Sequence, residues 1–303
     1  MRRFGSYVTL ALSVVYVGSA HAQDNVGTDP LADPPMTEPA ATEPTMDASA
    51  AMMGGAYPTE EVLRPINLRS GMVELGADMG VFKDQDFADT IGLNLRADYA
   101  LSDELQVGVR VPLALAKRDG LETVGGVWLN GLYGFHENVS ARLDLGYVYP
   151  FALGFGLQPF APPAYIDGDG MKLAFRLGVT FKKAFTDQLA LVADPGVLFQ
   201  LDGGSGDRGD AETLQVLMVP VSLWYQLIPE LALALNTGIV SGHKFKFSGD
   251  DEMLLPLYLT AQFTTVENHL DLGLNVGFGT LTVGENEKVG DSLFFGLYAN
   301  YRL

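Results

Sequence analysis

Four arginines stand inside apolar stretches of this 303-residue chain: Arg96 in DTIGLNLRADYA, Arg110 in ELQVGVRV, Arg142 in VSARLDLGYVY and Arg176 in MKLAFRLGVTF. A guanidinium stays ionised and holds its N–H donors in a rigid fork, so when protein encloses it, it must meet an anion or be neutralised by carboxylates. Carboxylates of matching parity are at hand. Asp98 follows Arg96 by two residues, Asp144 follows Arg142 by two, and Glu74 and Asp78 share one parity of an earlier segment. Two uses of this set are open. In one, Arg96, Arg110, Arg142 and Arg176, with Asp98 and Asp144, line a constriction whose positive side chains draw in anions and sort solutes by charge. In the other, acids and bases pair into a satisfied ladder that fills the space, as burial of charge in a narrow bore demands.

A period of two places these residues. From Gly71 onward apolar and polar residues alternate, the mark of strands with one apolar face. Val73, Leu75, Ala77, Met79 and Val81 oppose Glu74, Gly76, Asp78 and Gly80. Arg96 and Asp98 likewise fall between Leu95, Ala97 and Tyr99. The spacing predicts strands near 71–82, 89–100, 103–115, 122–135, 138–151, 170–183, 187–201, 212–226, 230–243, 252–265, 268–280 and 291–303, about twelve in all. In the segment around VLMVPVSLWY either register fits.

The connections alternate in length. Short ones (101–103, 136–138, 185–187, 228–230, 266–268) take turns with longer polar ones (83–88, 117–122, 152–169, 202–212, 242–251, 281–290). A soluble sandwich has no reason to segregate its loops, whereas a transmembrane barrel puts tight turns at the periplasmic end and large loops outside. Aromatics gather at strand ends: Tyr99, Phe135, Phe181, Tyr225, Phe263 and Tyr301 at the tight-turn end, Phe82, Tyr149, Phe151, Phe199 and Phe278 at the other. That suits two membrane interfaces. The expected fold class is therefore all-β, a transmembrane antiparallel up-and-down β-barrel.

Residues 1–22 read as a signal peptide: Arg2 and Arg3, an apolar stretch over 8–18, and small residues before Gln23. Residues 23–66, rich in Pro, Ala, Thr and acids, are expected to be a disordered periplasmic leader, with 67–303 forming the barrel. The chain has no cysteine, which excludes disulfides, thiolate metal sites and a lipid-attachment cysteine. A formal net charge of −18 argues against nucleic acid as a partner.

The final strand carries a resemblance. Phe295, Leu297, Ala299, Tyr301 and Leu303 alternate up to an apolar last residue, a pattern that resembles the C-terminal assembly signal of Gram-negative outer-membrane β-barrels, with Leu303 in place of the commoner phenylalanine. The hairpin YALSDELQVGVRVPLAL (99–115) is similar to that of small porin-like barrels described as transporters of aromatic-degradation pathways. The resemblance implies location in the cell outer membrane, with lipid, lipopolysaccharide and, through the last strand, the barrel assembly machinery as partners.

Other chemistries find less support. Ser241 and His243 share a parity near a rim, but no nucleophile–base motif surrounds them, so no enzyme is expected. Asp167, Asp169, Asp202, Asp207, Asp210 and Glu212 could gather a divalent cation, yet their spacing fits no EF-hand, and solvated loops explain them. Neither a cofactor nor a resident metal is expected. The expected function is passive passage of small solutes; the alternative is a closed structural or surface-interaction barrel.

Overall fold

A computed structural model describes residues 57–82, 90–116, 124–148, 171–201, 214–241, 245, 253–265, 269–279, 281 and 293–303. Thirteen strand segments run through them: β1 Val73–Phe82, β2 Thr90–Ala100, β3 Leu105–Ala116, β4 Gly126–His136, β5 Val139–Val148, β6 Lys172–Thr186 and β7 Leu189–Ala193. The rest are β8 Gly196–Leu201, β9 Leu214–Ile228, β10 Leu231–Val240, β11 Leu257–Thr264, β12 Leu270–Phe278 and β13 Leu293–Arg302. Each pairs antiparallel with its neighbours, β9 with β10 and β13 with β1 included, so the sheet closes on itself. Closure satisfies every strand edge, which hydrocarbon requires.

Twelve strands make the ring, because β7 and β8 are halves of one. β6 pairs with β7 through Phe181–Thr186 and with β8 through Leu173–Gly178, and β9 does the same from its side. The continuous strand expected over 187–201 is broken at Asp194 and Pro195. Proline has no N–H for the ladder. The Pro195 carbonyl still accepts the Val179 amide at 2.9 Å, and the Asp194 amide donates to the Pro220 carbonyl at 3.1 Å. The break therefore diverts one residue without opening the wall.

Burial is inverted relative to a soluble protein. Outward positions are apolar and exposed, as at Leu129 and Leu259 (57% and 58% exposed), while inward ones are polar and buried, as at Asn94, Asp98, Asp144 and Arg176. An uninterrupted apolar outer belt of this kind is what lipid contact selects. Tyr99, Phe135, Tyr225, Phe263 and Tyr301 point outward and exposed at the tight-turn end. In β9 the ambiguous register resolves with Met218, Ser222 and Trp224 inward and Leu223 and Tyr225 outward. At the seam, Val73 and Leu303 exchange both backbone hydrogen bonds, at 3.1 and 2.9 Å.

Residues 57–66 differ from the expected disordered leader: they lie inside the barrel. A 3-10 turn at Glu61–Leu63 buries Val62 against Ala190, Trp224, Ala232 and Ala234. Composition alone hid this, because a few anchoring residues at the end of a polar tract do not alter its average. The earlier part, 23–56, lies outside the described residues.

Candidate functional site: a lumen bridged by the leader

The wall supplies the first layer. β2 and β3 align Arg96 with Arg110, β4 and β5 align Asn130 with Asp144, and β5 and β6 align Asp144 with Arg176. All six residues expected at the constriction, Arg96, Asp98, Arg110, Arg142, Asp144 and Arg176, face the lumen on β2, β3, β5 and β6. Space for them comes from small partners. A side chain at Gly76 would run into the Arg96 guanidinium, and a Cβ at Gly196 would sit 2.9 Å from Arg176 Nε.

These charges are paired. Arg96 meets Glu74 at 2.8 Å, Asp98 at 3.3 Å and Asp78 at 4.0 Å, and Asp98 also accepts the Asn130 amide at 2.8 Å. Arg142 donates to Asp144 and to Asp194, both at 2.7 Å. Arg176 reaches Asp194 at 2.9 Å and Asp144 at 3.8 Å, and Thr180 adds a hydrogen bond to Asp194 at 2.9 Å. Arg176 and Asp194 have only 1% of their side-chain surface exposed, so their charges must be neutralised by neighbours: Asp194 by Arg176 and Arg142, Arg176 by Asp194 and Asp144. Arg110 lines the same cavity between the two groups.

Asp194 escaped the reading of the sequence because it sits where the alternation blurs. A signal was present: Asp-Pro-Gly inside a strand pattern marks a bulge, and a bulge re-aims a side chain.

A second cluster fastens the leader. Arg64 forks onto the Asp271 carboxylate at 2.8 and 3.0 Å, binds Glu61 at 2.6 Å and Thr264 at 3.1 Å, and donates to the Pro58 and Thr59 carbonyls. Arg302 joins from β13, pairing with Asp271 and, at 2.8 Å, with Glu74. Glu74 thereby links the two clusters. Burial disfavours the Arg64 cation, but Glu61 and Asp271 outweigh that and hold it more firmly protonated than an ordinary arginine. The guanidiniums of Arg64, Arg69 and Arg302 surround the Tyr57 ring at 5.3 to 5.9 Å from its centroid.

The segment touches opposite walls. Asn67 donates to the Glu104 carbonyl at 2.7 Å and accepts from Ser140 at 3.0 Å, while the Leu68 amide donates to Gln106 at 2.9 Å. Lys182 donates to the Glu61 carbonyl at 2.6 Å and Gln262 to the Glu61 carboxylate at 2.9 Å. Residues 57–68 therefore bridge the bore near its tight-turn end. No local period marks residues 57–68 as anchored, although the polar Arg302 between Tyr301 and Leu303 already had inward parity.

A cavity of about 280 Å³ remains, lined by both clusters and by residues of β9 to β13. Elsewhere, His136 Nδ1 accepts the Asn138 amide inside a tight turn, His269 Nδ1 bonds the Arg302 carbonyl, and Ser241 Oγ accepts the Leu217 amide. His243 and the acidic residues 167, 169, 202, 207, 210 and 212 lie outside the described residues. Among the described residues no cluster of His, Asp or Glu is arranged to hold a metal.

No protein-family model matches the sequence, and no curated protein does. Solved structures do share the fold. An outer membrane channel from Pseudomonas putida F1 superposes with a TM-score of 0.51 at 14% identity, covering 78% of this chain and 97% of that one. The NanC and KdgM porins give TM-scores of 0.49 and 0.46 at 9% identity, covering 76% and 75% of this chain and 100% and 98% of theirs. At such identities the likeness concerns the path of the backbone. The first of these structures, together with the exposed apolar belt, supports a closed antiparallel β-barrel fold with a lipid-facing outer surface.

Proposed function

We propose that the barrel is a narrow passive channel for small solutes, with no catalytic activity of its own. The observation that carries this reading is a polar cavity of about 280 Å³ enclosed by a ring whose outer face is apolar. Water and small solutes are stable in such a bore and unstable in the surrounding hydrocarbon. In this reading the charged ladder on β2 to β6 and the bridging residues 57–68 act as its constriction.

A closed barrel is the second reading, favoured by one feature, the bridge across the bore. Planar-bilayer recording separates the two. The full chain is expected to give small discrete conductance steps, and deletion of residues 23–68 is expected to enlarge them several-fold. Silence from both proteins, each shown to be folded by its heat-modifiable gel mobility, would establish the closed barrel instead.

A further inference from the structure

The bore has two chemically different walls. On β1 to β6 stand the paired charges. On β9 to β12, apart from the Asp271 that belongs to the Arg64–Arg302 cluster, a neutral chain of hydrogen bonds takes their place: Ser222 Oγ donates to Asn236 Oδ1 at 2.6 Å, Asn236 Nδ2 to Thr260 Oγ1 at 2.7 Å, and Thr260 Oγ1 to Asn275 Oδ1 at 2.6 Å. Ser222, Asn236 and Thr260 are buried, so this row is held in a fixed arrangement. The Ser222 and Thr260 hydroxyl protons are spent within the row, but the Asn236, Thr260 and Asn275 oxygens each accept only one of these bonds and keep a lone pair, and all three residues line the cavity. Beside it Tyr298 donates to Gln262 at 2.6 Å, and the rings of Trp224, Phe294 and Tyr298 line the same cavity.

Net charge decides what can enter. The cavity lining holds six carboxylates and six cations among the described residues, so the walls offer no net field to attract either sign. The acids and arginines are already committed to one another at 2.7 to 2.9 Å in their closest pairs. An ion would have to break such a pair or enter without a partner, and an unpartnered charge in a desolvated bore is expensive. A hydroxyl-rich neutral solute meets neither obstacle. Each of its hydroxyls both donates and accepts, as do the amide and hydroxyl groups of this wall, whereas a guanidinium only donates and a carboxylate only accepts. Its C–H faces match the aromatic rings. At about 30 Å³ per water the cavity displaces roughly nine waters, the scale of a monosaccharide.

Resting on the channel reading, we infer that the solute class is neutral and polyhydroxylated, of monosaccharide or smaller polyol size. The neutral row of Asn236, Thr260 and Asn275, with the aromatic rings beside it, is the recognition surface, and the paired charges are a filter against ions. This is the opposite of an arginine constriction that gathers anions.

The test is uptake of radiolabelled glucose, gluconate and glucosamine at tracer concentration into proteoliposomes of the full chain. At pH 6 these three are of nearly one size and carry zero, negative and positive charge. Glucose is expected to equilibrate at least tenfold faster than either ion, and the paired substitution Thr260→Val with Asn275→Leu to slow it about tenfold. Gluconate or glucosamine entering as fast as glucose overturns the inference while leaving the channel standing. Uptake of none of the three, with small-ion conductance present, also overturns it. Absence of both uptake and conductance removes the channel reading itself. The comparison within the parent chain decides the matter even if the double variant does not fold.

Discussion

Arg64 shows how much one side chain can hold when every donor is used. Its bonds to Asp271, Glu61, Thr264 and two carbonyls tie the leader to β11 and β12. Replacing it with leucine removes all of these, but Arg302 still neutralises Asp271, so the cost falls at or below about 3 kcal/mol, the lower end for breaking a buried pair. Arg64→Leu should therefore leave a folded barrel with a larger conductance, read by bilayer recording beside urea unfolding in micelles. Asp194 is different. It alone among the described carboxylates contacts Arg142, Arg176 and Thr180 together. Asp194→Asn leaves two buried guanidiniums sharing Asp144, and about 3–5 kcal/mol of stability is expected to be lost. The same variant should shift the reversal potential in a salt gradient toward anions, since the filter then carries a surplus positive charge. An unchanged reversal potential would show that these charges lie off the solute path.

At the scale of elements, the leader segment behaves as a small docked unit with one apolar anchor and one charged one. Val62 is 1% exposed among Ala190, Trp224, Ala232 and Ala234. Val62→Asp would bury an unpaired carboxylate there, so the segment should leave its seat while the wall stays intact. Cleavage after Glu61 by a glutamate-specific protease should then become fast in intact proteoliposomes, whereas equal cleavage of parent and variant would mean that the segment is already unseated in the parent. The strands themselves were legible because lipid and lumen impose opposite chemistry on alternate residues. Arg96, Arg110, Arg142 and Arg176 could be assigned to the interior by counting parity from Leu95, Val109, Ala141 and Phe175. The leader and Asp194 were not legible in that way. Their positions depend on tertiary contacts, Arg64 with a residue 207 positions away and Asp194 with one 52 away, and no local period records such distances.

For the whole molecule the decisive contrast is between outside and inside. Stability comes from a sealed backbone ladder in an apolar solvent, and that ladder keeps the polar interior in register. Leu95, 43% exposed in the middle of β2, lies on the outer face of the ring. Leu95→Arg should cost about 2–4 kcal/mol, as a cation at the bilayer midplane does, with lumen-dependent properties unaltered in whatever fraction folds. Reversible unfolding into phospholipid vesicles measures this. A cost near zero would indicate that protein, not lipid, covers β2.

The short chain between Leu68 and β1 tethers the bridge to the rim. Leu68 is bonded to β3 and Val73 begins the wall, so residues 57–67 remain leashed to the rim whenever their anchors let go. A leash of this length keeps the local concentration of the loose end in the millimolar range. Reseating is then unimolecular, fast and indifferent to how many barrels share the membrane. A synthetic peptide of residues 57–68, supplied at micromolar concentration, should leave the full chain's current unchanged and yet reduce the current of barrels lacking residues 23–68.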